Sequence, residues 1–149
     1  MSEQENLQAV RAIFECFGRG DVPGMLGRIA EDVVWRLEGA AVVPYSGERR
    51  GHAGVVDFLQ KLGGNVEFEH FEPQEFIAGG DRVVVTGTER GRVRSNGRTF
   101  TNDWAMVFTL RGGKVAAFRC YEDTGAVAAA FSAGGAARAG GDDDIYGNG

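Results

Sequence analysis

Four consecutive residues, Cys120-Tyr121-Glu122-Asp123, bring a thiol, a phenol and two carboxyl groups to one place in the chain. Glu122 is the candidate general base of this group. A carboxyl group enclosed by apolar side chains binds its proton more tightly, which moves it toward the range useful at neutral pH. Asp123 is a second candidate base, and its place just ahead of TGAVAAAF also suits a helix cap. Tyr121 and Arg90 are the candidate polarisers, groups that would hold a substrate oxygen while a proton moves. Cys120 has no histidine near it in sequence to activate it as a nucleophile, and it reads as a small buried hydrophobe. The two histidines, His52 and His70, form no metal-ligand pattern with Cys16 and Cys120, so no metal is expected. No glycine-rich phosphate loop joins a strand to a helix, so no dinucleotide cofactor is expected either.

A second set of residues has the character of a pocket wall. Asn102, Trp104, Met106 and Phe108 alternate along one face of a β-pattern, and Phe118 and Cys120 do so along the next. Trp35 lies in an earlier strand, and Tyr45 lies in a long loop of the kind that often borders a site. Such a wall, aromatic and mostly apolar with few polar points, suits a small-molecule ligand. Each residue also has a plainer reading: Trp35 and Trp104 as core aromatics, the histidines as structural or solvated, Asp123 as a cap.

The elements that must position these residues follow from periodicity. Ser2 and Glu5 have capping-box spacing, and Leu7, Val10, Phe14 and Phe17 recur at helical spacing behind them. Gly18 and Gly20 stop that helix, and Asp21 caps a short second one with Pro23 in its first turn. The triplet Arg19-Gly20-Asp21 therefore reads as a helix stop and start, although it also spells an adhesion motif. Val33 to Leu37 predicts a strand, Glu38 to Gly51 a loop, and His52 to Leu62 a third helix stopped by Gly63-Gly64. Four strands follow, over Val66 to Ala78, Arg82 to Val93, Thr99 to Leu110 and Val115 to Asp123. Their turns are expected at Gly79-Gly80 and Arg111-Gly112-Gly113. A last helix is expected over Thr124 to Phe131. Helices followed by a run of strands imply an α+β fold with an antiparallel sheet.

The side on which Arg90 lies depends on register. A Gly79-Gly80 turn pairs Glu69 with Arg90 and Glu67 with Arg92, points Val83, Val85 and Val93 into the core, and points Arg90 outward. A β-bulge at Gly87 or Gly91 would turn Arg90 inward. The stripe Arg90, Arg92, Arg94, Arg98 reads as a solvated rim.

With 149 residues the chain fits one domain, and a formal net charge of −5 argues against a nucleic-acid partner. No apolar run is long enough for a membrane helix. The start MSEQENLQ has no signal-peptide character, and two distant cysteines then suggest reduced thiols and a cytoplasmic setting. Residues 1–131 read as the domain. Residues 132–149, rich in Gly, Ala and Asp, read as a flexible tail.

Three pieces carry a family resemblance: FGRGDVPGMLGRIAEDVVW (17–35), GERRGHAGVVDFL (47–59) and GRTFTNDWAMVFTLRGGKVAAFRCYED (97–123). In this order they resemble the NTF2-like superfamily, and within it the SnoaL-like and ketosteroid-isomerase-related proteins. The resemblance implies three N-terminal helices over the concave face of a curved sheet, with a conical apolar pocket. It also implies a homodimer packed through the sheet. The polar groups of two catalytic relatives are replaced. Against a ketosteroid isomerase, the tyrosine and two acid positions fall on Ile13, Leu37 and Met106. Against a limonene-type epoxide hydrolase, TERGRV (88–93) supplies Arg90, but the flanking acids fall on Arg92 and Cys120. The resemblance leaves a ligand-binding module and a general acid–base enzyme for a cyclic or polyketide-like substrate both open.

Overall fold

The structure is a computed structural model and describes residues 2–132. The expected tail lies outside the described residues except for Ser132. Helix α1 (Glu3–Arg19) opens with the predicted capping box. The Glu5 amide donates to Ser2 Oγ at 3.1 Å, and the Ser2 amide donates to Glu5 Oε1 at 2.9 Å. Gly20, with φ of 71°, ends the helix in the left-handed region that glycine enters without strain. Helix α2 (Val22–Leu26) starts where Asp21 accepts from the Gly24 amide at 2.9 Å, so Arg19-Gly20-Asp21 is a helix junction. The remaining elements are β1 (Ile29–Leu37), β2 (Gly47–Arg50), α3 (Gly51–Asn65), β3 (Val66–Gly79), β4 (Arg82–Val93), β5 (Thr99–Arg111), β6 (Lys114–Glu122) and α4 (Thr124–Phe131).

The strands form one curved, unclosed six-stranded sheet in the order β2-β1-β6-β5-β4-β3. It is antiparallel at every junction except β1–β6, which is parallel. That junction corrects the all-antiparallel expectation. β1 enters from the helical half of the chain, and its partner arrives only after two hairpins, so no local turn constrains their relative direction. Helices α1 to α3 pack on the concave face. Val10, Ile13, Met25, Val55, Phe58 and Leu62 enter a core whose other half is the inner face of the sheet. Each such side chain contributes roughly 1.5–3 kcal/mol of apolar burial.

Three local expectations change. Gly63 and Gly64 lie inside α3, which runs on until β3 begins. The loop after β1 contains the short edge strand β2, whose Gly-Glu-Arg-Arg sequence has no apolar alternation to announce it. The β3–β4 turn is Gly80-Asp81, because Gly79 pairs with Arg82. Both register irregularities of the β3–β4 pair lie on β3, at Gln74 and at Glu69, and none lies at Gly87 or Gly91. The two extra residues restore the pairing of Glu67 with Arg92, while His70 takes the place opposite Arg90. Strand β4 keeps strict alternation, with Val83, Val85, Gly87, Glu89, Gly91 and Val93 all buried.

Candidate functional site

The concave face holds a hollow between helices and sheet, with about 600 Å³ of atom-free space when its partly open mouth is included. Nine of the sixteen described residues that line it are aromatic, and the only carboxyl group among these is Glu89, so one acid faces an almost wholly apolar wall. Trp35 stacks on Phe118 at 3.9 Å, and Phe108 meets Phe118 edge-on at 5.1 Å. Trp35 and Trp104 are each only 3% exposed, which puts both indoles inside the domain. Trp104 stacks behind Phe14 and Phe71 at 6.1 and 5.2 Å. It lies directly over Gly87, where any side chain would collide with its ring.

Tyr45 reaches the hollow from the loop between β1 and β2. Arg49 fixes that loop. Its Nη1 donates to the carbonyls of Tyr45 and Ser46 at 3.0 and 3.1 Å, while its Nε donates to Asp57 on α3 at 2.9 Å. The Tyr45 hydroxyl has no hydrogen-bond partner among the described residues. Burial raises its pKa, and the nearby carboxyl groups of Glu122 and Glu89 and the Cys120 thiol raise it further. Tyr45 is thus a neutral hydrogen-bond donor on the wall.

Behind Glu89 lies a polar cluster. Asn102 is buried, and its Nδ2 donates to Glu89 Oε2 at 2.9 Å and to Glu122 Oε1 at 3.1 Å. Its Oδ1 accepts from the Asp123 amide at 2.7 Å, which fixes the side-chain amide with both N–H bonds toward the carboxyl groups. Burial pushes Glu89 up to about 7, partly opposed by the Asn102 hydrogen bond. Burial also pushes Glu122 up to about 8, and the adjacent Glu89 adds to the shift.

The residues singled out in the sequence separate into three groups. Trp35, Tyr45, Met106, Phe108 and Phe118 line the hollow. Asn102, Trp104 and Cys120 are buried next to it, and burial raises the Cys120 thiol well above its usual range. Glu122 stands one amide removed from the wall, beside Glu89. The other three candidates lie elsewhere. Arg90 is outward, donating to Glu69 Oε1 at 2.8 Å, because β4 has no bulge to turn it in. Tyr121 is 44% exposed on the outer face, with the Arg119 guanidinium 4.8 Å from its ring centre. Asp123 caps α4 by accepting from the Ala126 amide at 3.0 Å. Ile13, Leu37 and Met106, the apolar replacements at the isomerase positions, all line the hollow.

Glu89 carries the site's acid and was not among the sequence candidates. The alternation that points Val83, Val85 and Val93 inward also points Glu89 inward, so the signal lay in the strand pattern. His52 Nε2 sits 2.7 Å from the Ile29 carbonyl, and His70 is on the surface near Thr88. Among the described residues no group of His, Cys, Asp and Glu could hold a metal, and no helix is long and apolar enough to cross a membrane.

Comparison with known proteins places this geometry. An NTF2-like protein from Burkholderia xenovorans LB400 is 45% identical, with 89% of this chain and 99% of that one covered and a TM-score of 0.82. An NTF2-like protein of unknown function from Burkholderia pseudomallei K96243 is 33% identical, with 89% and 100% covered and a TM-score of 0.80. TerC, solved in co-crystals with polyporic acid, is 31% identical, with 85% and 98% covered and a TM-score of 0.75. No curated protein matches the chain. The SnoaL-like domain family matches residues 10–118, from within α1 to the Phe118 wall of the hollow, and the chain belongs to that family, within the NTF2-like fold.

Proposed function

We propose that the protein is a general acid–base enzyme acting on a compact, largely apolar ring compound, with Glu89 as the group that takes and returns the proton. The observation that carries this reading is a carboxyl group on the wall of an otherwise apolar hollow, backed by a buried amide. A carboxyl group with a pKa of about 7 can act in either direction near neutral pH. In the proposed step Glu89 accepts a proton from a ligand carbon next to a carbonyl. The electron pair moves onto the ligand oxygen, to which the Tyr45 hydroxyl donates. Return of the proton to another carbon of the conjugated system completes an isomerisation; in a ring closure the enolate carbon instead attacks a second carbonyl carbon of the ligand, and the proton returns to the alkoxide oxygen that forms. The co-crystals of TerC with polyporic acid support an organic ring compound as the ligand class. A binding module without catalysis would use the same hollow, favoured by its apolar wall, and would leave Glu89 idle. Association of two copies through the outer sheet face belongs to the same proposal. Ile77 and Tyr121 stand exposed on that face, and sedimentation equilibrium tests the pairing.

Proton exchange at carbon separates catalysis from binding. In deuterium oxide the protein should speed exchange of the acidic methylene protons of β-tetralone, followed by NMR. Glu89→Gln should slow that exchange about 100-fold, within the usual range for a lost general base. An exchange rate unchanged in Glu89→Gln would remove Glu89 from the role. Binding without any exchange across a panel of cyclic ketones would favour the binding module.

A further inference from the structure

Buried Glu89 and half-buried Glu122 share one amide donor, and among the described residues no Lys, Arg or His lines the hollow that Glu89 borders. Both cannot be ionised at so short a range without a large mutual repulsion. Their surroundings differ in a way that decides where the proton rests. Glu89 lines the hollow, where a ligand proton can reach it. Glu122 Oε2 is sealed from solvent and has no donor, so a negative charge there is uncompensated. The amide between them cannot turn over, because its oxygen is held by the Asp123 backbone.

We infer that Glu122 is a positioning residue that shares a single proton with Glu89 across Asn102, keeps that proton at rest, and so leaves Glu89 as the ionised base. The inference rests on the reading of Glu89 as the proton carrier. Other titratable groups that act on the pair are the Tyr45 phenol from the loop before β2, the Cys120 thiol on β6 and the Asp123 carboxyl at the α4 cap. Glu38, at the end of β1, faces Cys120 but is neutralised by Arg36 and Arg119 at 2.8 Å each. None of these supplies a positive charge to the pair. Burial raises both carboxyl groups and the neighbouring Glu89 raises Glu122 further, in agreement with a single shared proton.

Thermal unfolding against pH tests the shared proton without any ligand. Both groups bind protons more tightly when folded than when unfolded. The folded chain therefore holds more protons above the ordinary glutamate range, and its stability falls as pH rises toward about 8. Glu122→Gln should abolish the alkaline part of that fall. Glu89→Gln should remove part of it too, because it ends the repulsion but leaves Glu122 buried, and the double variant should remove less than the sum of the two single effects. An alkaline fall that persists in Glu122→Gln, or single effects that sum to the double, would overturn the inference. A second readout separates positioning from structure. Glutamine mimics a protonated Glu122, so the acid limb of the β-tetralone exchange profile should keep its midpoint in Glu122→Gln. A shift of that limb to lower pH would show Glu122 to be charged at rest and would overturn the inference. Normal exchange in Glu89→Gln would instead remove the catalytic reading, while the unfolding data would still judge the shared proton.

Discussion

Glu89 and Glu69 are the same side chain on adjoining strands, and their surroundings push them in opposite directions. Glu89 faces the hollow, where burial raises it to about 7. Glu69 stands on the outer face, where hydrogen bonds from Arg92 and then Arg90 hold it below the usual carboxylate range. Neither behaviour is encoded by the residue type. Strand parity decides it, since a single step along β4 separates the acid-lined hollow from the arginine rim. A fold that places one carboxyl group against aromatic rings and another against guanidinium groups builds both a buried acid of raised pKa and an inert surface ion pair from glutamate.

The largest change to this contrast is expected at the amide that serves the buried side. Asn102→Leu keeps the volume but strips both carboxyl groups of their donor, and should cost about 3 kcal/mol of unfolding free energy at pH 8. The donors favour the ionised forms, so the cost should shrink at pH 5, where both groups are protonated. Denaturant unfolding at the two pH values checks the direction. Gly87→Ala comes next. Its new methyl group would meet the Trp104 ring and the Glu72 carbonyl, with a cost of about 2 kcal/mol from overpacking. The Trp104 side-chain NMR signals should also shift, since the indole must move. The smallest effect belongs to the outer side. Glu69→Gln should leave the unfolding midpoint at pH 7 unchanged, because exposed ion pairs contribute little. Its depressed pKa means that any contribution is present above the ordinary glutamate range and is lost as pH falls below it, so the variant should differ only in acid. A large loss at pH 7 would break the contrast.

Much of the architecture was legible in the sequence because it is written in local patterns. The capping box at Ser2 and Glu5, the Asp21 cap and the alternation of β5 all describe neighbours a few residues apart. The hollow's aromatic wall was legible for the same reason, since Trp35, Met106, Phe108 and Phe118 fall on inward parities. Register was not legible, because the extra residues Gln74 and Glu69 have no turn chemistry that marks a bulge. The parallel β1–β6 pairing joins segments about eighty residues apart, and periodicity carries no information about partners at that range. The site's acid has no residue-type signature, since a buried glutamate and an exposed one read alike; only the parity that turns Arg90 outward also turns Glu89 inward.

The central claim is that a carboxyl group in the apolar hollow gains and loses its proton near neutral pH. Carbon-13 NMR of the glutamate side-chain carboxyl groups, titrated through pH 4–9 and assigned by the signal missing from Glu89→Gln, reads this directly. Glu89 is predicted to titrate at about 7. A Glu89 signal that titrates with the surface glutamates, in the ordinary carboxylate range, would contradict the account.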